Sequence, residues 1–449
     1  DFPDWMLPSQ WFFYDDLPRN SHRKLDPALI LEKVKLSSAV KTTEHQSWLT
    51  LVENIIQQPV CSLSGSLQDA GISSLQIVEL TYHAQKMGLM LTAEQLYYSH
   101  NIRALFSTAV IKPTPVDELL PLIKDLPLLK FNNSKTTENA ILITGATGNL
   151  GKKLLQHLSG EKRRIYCLVR NNVERIKTTE NITVISGDIT QPELGMTTSQ
   201  WNKLCHQISD VYHCAADVSL LKNRQALFLP NVLGCYHVLQ LLAQGQQKKL
   251  HYASTLSLVV DSDLKYQPVS EDDNLLNVKA LYGGYAQSKW LAEMLIRQYV
   301  SANIFRFGLL TEEVTSNPFP DKDWFNQVIK TQPDLTRLPD ESSIDFTPIG
   351  YASKAMLLLS NHTDGDCFHI NNPKSISVRM LEKSLKRYPL FQPLTEKAHD
   401  PWRLFKMTNT QISNSKTMAK LEKLNLPFPC VNQDYIDQYV DDLLAEKST

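Results

Sequence analysis

The sequence predicts an α/β protein in which a doubly wound parallel sheet follows a small all-α bundle of four helices. A smaller subdomain is expected at the C-terminal end. Three observations predict this. From Glu138 onward, short apolar runs alternate with helical segments, the pattern of strands joined by crossover helices. Over residues 42–110 apolar residues recur at helical spacing instead, as in Trp48, Leu49, Leu51, Val52, Ile55 and Ile56. Between the two, residues 140–151 read AILITGATGNLG, an apolar strand, a glycine turn and a helix start.

Composition narrows the function classes. With 449 residues the chain has room for two to four domains. A hydrophobic content of 42% and a net charge of −1 give no electrostatic case for nucleic acid or membrane as partner. No apolar run approaches the length of a membrane span, and no basic-then-apolar leader is present. The first residue is Asp1, so a piece of a longer polypeptide or a processed chain is expected. The seven scattered cysteines form no CxxC, which points to reduced thiols, a cytoplasmic setting and no disulfide framework. The histidines show no ligand spacing, and no metal site is expected.

The sheet domain, 138–449, carries the chemistry-bearing stretches. Ile141–Ile143, Ile165–Val169, Ile182–Ile185, Val211–Cys214, Leu250–Ala253 and Ile304–Phe307 read as successive strands. Gly145, Thr147, Gly148, Asn149, Leu150 and Gly151 form a candidate phosphate cradle. Gly145 would permit the tight turn, Gly148 the approach of a pyrophosphate to the helix N-terminus, and Gly151 close packing of helix on strand. The second strand ends in Arg170 where an acidic residue would bind a ribose 2′-hydroxyl. A guanidinium there favours a 2′-phosphate, and hence NADPH, unless it is an ordinary solvated arginine. Asp188 and Ile189 close the third strand, where a carboxylate and an apolar side chain could hold adenine. Ala215 and Ala216 close the fourth, small enough for backbone to lie against a cofactor, although small residues there are also ordinary packing.

Thr255 ends the fifth strand, and Tyr285 and Lys289 stand four apart in a helical stretch, on one face. A lysine beside a phenol stabilises phenolate and is expected to lower the phenol's pKa, making it a proton donor near neutral pH. Such a pair alone means little; it gains weight from the glycine turn and the strand end YASTLS. Residues 310–345 and 371–449 are mixed and proline-broken, and no pocket residue can be chosen there from Trp324, Phe325, Leu357 or Trp402.

In the helical bundle, Ser73 or Ser74 opens the second helix, where a serine commonly serves as N-cap. Residues 113–137 hold four prolines and a polar run, and read as a linker partly ordered against a neighbour. Residues 1–40 are too short to bury a core of their own.

Longer motifs carry resemblances. Residues 41–112 resemble an acyl or peptidyl carrier domain: aligned on Asp69, Gly71 and Leu75, with Gly88, Leu91, Thr92, Ala93, Gln95 and Leu96 supporting the register. That makes Ser74 the attachment site of 4′-phosphopantetheine and implies a phosphopantetheinyl transferase as partner. Ser73 replaces the family's usual acidic residue. WMLPS, DDLP and HRKLDP resemble the C-terminal end of an adenylation domain, with Lys24 at its lysine position and Arg23 in place of a glycine. No activity is assigned to this remnant. An upstream adenylation domain of the same polypeptide is the implied partner.

TGATGNLG, CLVR, SGDIT, YHCAADVSLL, NVLGCYHVLQL, LHYASTLSLV and GGYAQSKWLAE together resemble the extended short-chain dehydrogenase/reductase superfamily. Within it the likeness is to thioester reductase domains that end nonribosomal peptide and polyketide assembly lines and carboxylic acid reductases. The resemblance implies a Rossmann-like sheet with a Thr255–Tyr285–Lys289 triad, with Ser254 and Ser257 as fallback hydroxyls. It also implies a family position at Asn231 behind the active site, for which a helix N-cap is the alternative. Asp345 to Ile349 resembles a segment running under the cofactor. Phe307 departs from the proline usual after Arg306. The implied activity is NADPH-dependent release of a tethered acyl or aminoacyl thioester as an aldehyde, or as an alcohol after a second reduction. A non-redox condensing release domain, a nucleotide-sugar epimerase or dehydratase, and a non-catalytic scaffold are the competing readings.

Overall fold

The computed structural model describes residues 114–445 apart from 132–133, 220–221, 265–267, 274, 315–318, 320–323, 331–334, 336–341 and 389–411, with isolated positions before 114. The chain forms two units, Asp1–Val110 and Ile111–Thr449. In the first, the described side chains Val52, Leu67, Ile77, Leu80, Leu91 and Leu96 are fully buried. Ser73, Ser74 and the predicted adenylation remnant lie outside the described residues.

The second unit is built on seven parallel strands: β1 (Ala140–Thr144), β2 (Ile165–Val169), β3 (Ile182–Ser186), β4 (Ile208–His213), β5 (Lys249–Thr255), β6 (Asn303–Phe307) and β7 (Cys367–Ile370). Their spatial order is β7-β6-β5-β4-β1-β2-β3. The order reverses between β1 and β4, and the crevice outside the carboxyl ends of those two strands is where such sheets bind ligands.

Both faces are covered, which is why these strands read as continuous apolar runs. Alternation along β1 feeds two cores. Leu142 joins Tyr166, Val211, Tyr252 and Ile304 under α2 (Thr198–Gln207), α3 (Gly234–Leu242) and α4 (Gly284–Tyr299). Ile141 and Ile143 join Cys167, Phe305 and Phe368 under α1 (Asn149–Leu158) and α5 (Ile349–His362).

From Thr114, the stretch read as a linker is built into this unit. Thr114–Pro115 pairs antiparallel with Ala280–Leu281, and Val116, Leu119 and Ile123 enter the first core. Tyr236 Oη donates to Pro127 O at 2.7 Å.

The C-terminal stretch divides between two places. Helices α6 (Val378–Leu385) and α8 (Gln433–Ala445) belong to the smaller subdomain, where Phe346 packs edge-on to Tyr439 (4.8 Å) and to Phe325 (5.6 Å). Helix α7 (Ser415–Lys423) returns to the sheet, with Leu421 in the second core. Phe325 is therefore subdomain core and Leu357 sheet core. Trp402 and the Trp324 side chain are outside the described residues.

Candidate active site

The glycine turn sits at the switch point. Gly145 takes φ +73°, and a Cβ there would lie 2.6 Å from Ala215 N, so β1 and β4 close on each other only over a glycine. At Gly151 a Cβ would run into Gly145 O, which lets α1 start against the turn itself. Gly148 differs: it is exposed, and a Cβ would meet only Gly145 O, at 3.3 Å. The chain's own packing demands glycine at 145 and 151. The open position at 148, beside the unpaired N–H groups that begin α1 at Asn149 and Leu150, fits an anionic group approaching from outside. Thr147 is half-buried in the same turn.

Thr144 locks β1 to β4. Its hydroxyl is 2.7 Å from His213 Nδ1 and accepts from Ala215 N at 3.3 Å. Burial pushes His213 down to about 3, so its imidazole is neutral at physiological pH. Ala215 and Ala216 are half-buried on the strand end facing the glycine turn.

Arg170 follows β2 directly and is exposed. Asp188 caps its own turn, accepting from Thr190 N at 2.9 Å. Ile189 lies on α3, where a Cβ at Gly234 would meet its Cδ1 at 2.8 Å, and Ile189 O is 2.7 Å from His237 Nδ1. The loop after β3 is thus docked on α3, which sets the wall of the crevice on that side.

Thr255 ends β5 with Tyr285 beside it on α4, and Thr255 Oγ1 accepts from Ser257 N at 3.1 Å. Lys289 Nζ donates to Ala253 O at 2.7 Å and lies 4.1 Å from the centre of the Tyr252 ring. The fallback hydroxyl Ser254 is engaged elsewhere: it is buried and donates to Glu293 Oε2 at 2.9 Å.

The electrostatics correct one expectation. Burial pushes the Tyr285 phenol up to about 12, with the neighbouring Thr255 side chain working against it. Burial lowers Lys289 to about 8. The phenol is therefore a protonated donor at neutral pH rather than one tuned to ionise there, because desolvation outweighs the help expected from a lysine four residues away.

Asn231 is not an N-cap. It lies in the π-helical turn Phe228–Leu233, accepts from Asp217 N at 2.8 Å, and donates to Asp217 O and Ser288 Oγ at 2.9 Å each. Ser288 Oγ in turn donates to Tyr285 O at 2.9 Å. Asn231 thus ties the loop after β4 to the first turn of α4. Phe307 stacks with Phe305, which stacks with Phe368.

Sequence reasoning missed the part played by two carboxylates. Asp345 is half-buried and accepts from Leu309 N (3.0 Å), Asn372 N (2.9 Å) and Thr347 Oγ1 (2.7 Å), bracing the loops after β6 and β7; desolvation pushes it up to about 6. Glu293 is paired with Arg306, both side chains fully buried. A carboxylate inside the apolar run Trp290–Ile296, one turn beyond Lys289, is the available signal, since a glutamate so placed needs a partner. Among the described residues no cluster could hold a metal ion, and no helix is long and apolar enough to cross a membrane.

Fold and turn define a class: a doubly wound parallel sheet with a dinucleotide-type glycine turn at its switch point. Residues 143–356 match the NAD-binding family described as Male sterility protein. The chain is 25% identical over 433 residues to a linear gramicidin synthase polypeptide of Brevibacillus parabrevis, covering 83% of this chain and 8% of that protein. The chain thus spans under a tenth of that relative's length. Among solved structures, the terminal R domain of the myxalamid PKS-NRPS pathway aligns with a TM-score of 0.60 at 25% identity, covering 71% of this chain and 94% of that one. A thiolation-reductase di-domain from an archaeal non-ribosomal peptide synthetase aligns with a TM-score of 0.66 at 20% identity, over 90% and 97% of the two chains. The latter likeness bears on the fold.

Proposed function

We propose that this chain releases an acyl or peptidyl group from its own phosphopantetheine arm on Ser74 by NADPH-dependent reduction of the thioester to an aldehyde. The observation that carries this reading is the docking of α4 on the end of β5, with Lys289 bonded to Ala253 O and Tyr285 beside Thr255, in a chain whose earlier stretch has the carrier signature around Ser74. The likeness at 25% identity to the terminal R domain of a PKS-NRPS pathway supports it.

The residues suit NADPH. The turn 145–151 would hold the pyrophosphate, Arg170 the 2′-phosphate, and Asp188, Ile189, Ala215 and Ala216 the adenine side and the backbone of the crevice. Lys289 keeps donors beyond the one given to Ala253 O, and these would bind ribose hydroxyls. When bound, NADPH supplies the hydride. Thr255 and Tyr285 donate hydrogen bonds to the thioester oxygen as it gains charge, the interaction that strengthens most in the transition state. Tyr285 then gives its proton to that oxygen, leaving a hemithioacetal; its C–S bond breaks as the hydroxyl proton is lost, the sulfur leaves as the protonated pantetheine thiol, the C=O of the aldehyde forms, and Tyr285 is reprotonated from solvent. Tethering raises the effective concentration of substrate, so the pocket needs little affinity of its own.

Arg170→Ala is expected to raise the KM for NADPH about 10- to 100-fold, the value of a charge-assisted hydrogen bond, with the KM for NADH unchanged. Steady-state kinetics with both cofactors checks it. Lys289 acts as a cation, and a lowered pKa keeps it charged only below that value. Turnover is therefore expected to hold through neutral pH and to fall as pH rises past about 8. A pH profile of kcat that stays flat to pH 10, to take about two units more, contradicts that role.

The reading as a whole is tested by converting Ser74 to its phosphopantetheinyl form, loading an acyl group and adding NADPH. Cofactor consumption with aldehyde release is expected. Its absence, or equal consumption by Ser74→Ala, sinks the proposal, and mass spectrometry of the modified peptide separates Ser74 from Ser73.

A further inference from the structure

We infer that Ser254 and Glu293 form a positioning pair that holds the Thr255 hydroxyl in register with Tyr285. The inference rests on the triad reading above and extends it to residues outside the triad.

Two consecutive residues of β5 are tied to α4: Ala253 O accepts from Lys289 Nζ at 2.7 Å, and Ser254 Oγ donates to Glu293 Oε2 at 2.9 Å. The next residue, Thr255, lies beside Tyr285. Tyr285, Lys289 and Glu293 succeed one another at intervals of four, on one face of α4. The first tie uses the triad member Lys289 itself. The second does not, and it sits beside Thr255 in sequence.

That second tie is anchored from the far side. Ser254 pairs in register with Arg306 of β6. Arg306 gives Glu293 Oε1 an Nη2 bond of 2.5 Å and Oε2 an Nε bond of 3.3 Å. Arg297 adds a bond of 3.0 Å to Oε1. Behind Arg306, His369 is fixed as the Nδ1–H tautomer, because its Nδ1 can only donate to Ser413 O (2.8 Å), leaving Nε2 to accept from Arg306 Nη1 (3.3 Å). The carboxylate that receives Ser254 is thus held by donors from α4 and β6, and it cannot follow Ser254 if the strand end shifts. A carboxylate gripped in this way is a fixed post, and Ser254 ties the strand end to it.

The bland alternative is that Ser254 satisfies a lone pair of a structural ion pair and nothing more. The two readings part in kinetics. Ser254→Ala leaves both arginines on Glu293, so the fall in melting temperature is expected to be small, that of one lost hydrogen bond. NADPH binding, followed by its fluorescence, is expected to be unchanged, because the glycine turn and Arg170 lie on other strands. The kcat on the acyl-loaded chain is expected to fall roughly 10- to 100-fold, the scale of a misplacement of about an ångström at a reacting group. Ser254→Ala matching wild type in kcat overturns the inference. So does a loss of kcat accompanied by equal losses of NADPH affinity and melting temperature, since that is a structural effect. A wild type that consumes no NADPH on its loaded carrier defeats the triad reading instead, and the two failures are distinguishable.

Discussion

Tyr285→Phe is expected to lower reduction of the loaded thioester about 10²- to 10⁴-fold, the range for removing a positioned general acid. The phenol of Tyr285 is pushed up to about 12, so at neutral pH it carries the proton that the reduced oxygen needs, and phenylalanine has none to give. The substitution removes one hydroxyl and leaves the half-buried ring, so the fold and NADPH binding are expected to be unaffected. The loss belongs in kcat, with the KM for NADPH held. Thr255→Val removes the hydroxyl beside Tyr285 and is expected to move kcat in the same direction by less, because Tyr285 still donates. Single-turnover kinetics on the acyl-loaded chain distinguishes these outcomes. Wild-type rates in Tyr285→Phe contradict the mechanism.

The second large effect concerns stability. Arg306→Met is expected to destabilise the domain by about 3–5 kcal/mol, the cost of leaving one member of a buried ion pair without its partner. Glu293 and Arg306 have fully buried side chains, and Arg306 accounts for the shortest contact to the carboxylate. Arg297 remains in the variant, but its side chain is 41% exposed and compensates only in part. The double variant Glu293→Leu/Arg306→Met is expected to recover most of the loss, since an apolar pair of similar volume incurs no charge burial. Denaturant unfolding of the three proteins measures this. The pH dependence has a definite sign. Glu293 is lowered from 4.5 to about 2, so its contribution is fully present above 4.5 and is lost as pH falls towards 2. Wild type is expected to lose stability over that window, and the double variant is expected to lack that component.

The sheet is largely legible in the sequence because a strand buried on both faces leaves a continuous apolar run. Six of the seven strands stand where such runs occur. The seventh, Cys367–Ile370, is a four-residue edge strand with a histidine inside it, and only its pairing with β6 identifies it. The glycine turn is legible because two of its glycines answer to backbone packing against the turn and the neighbouring strand end. Tyr285 and Lys289 are legible as a helical pair, and Thr255 as a strand end. Their environment is not: the raised phenol follows from desolvation by the whole fold, which spacing does not carry. The roles of Glu293 and Asp345 escape a sequence reading for the same reason, since their partners Arg306, Leu309 and Asn372 are distant in sequence or offered by backbone. Asn231 reads equally well as a cap because helix starts favour asparagine. A π-helical turn in place of a helix start directs its side chain to Asp217 and Ser288. The C-terminal subdomain is least legible, as its aromatic core is assembled from Phe319, Phe325, Phe346 and Tyr439 on separate segments.

The central claim is that the glycine turn and the Thr255–Tyr285–Lys289 group act on a thioester delivered by the same chain. The most direct measurement is the stoichiometry of a single turnover on the Ser74-loaded protein, with NADPH oxidised and product formed counted together. Each acyl group is expected to leave as an aldehyde with one NADPH oxidised, or as an alcohol with a second. Acyl release as an acid or a ring with NADPH unchanged would contradict it.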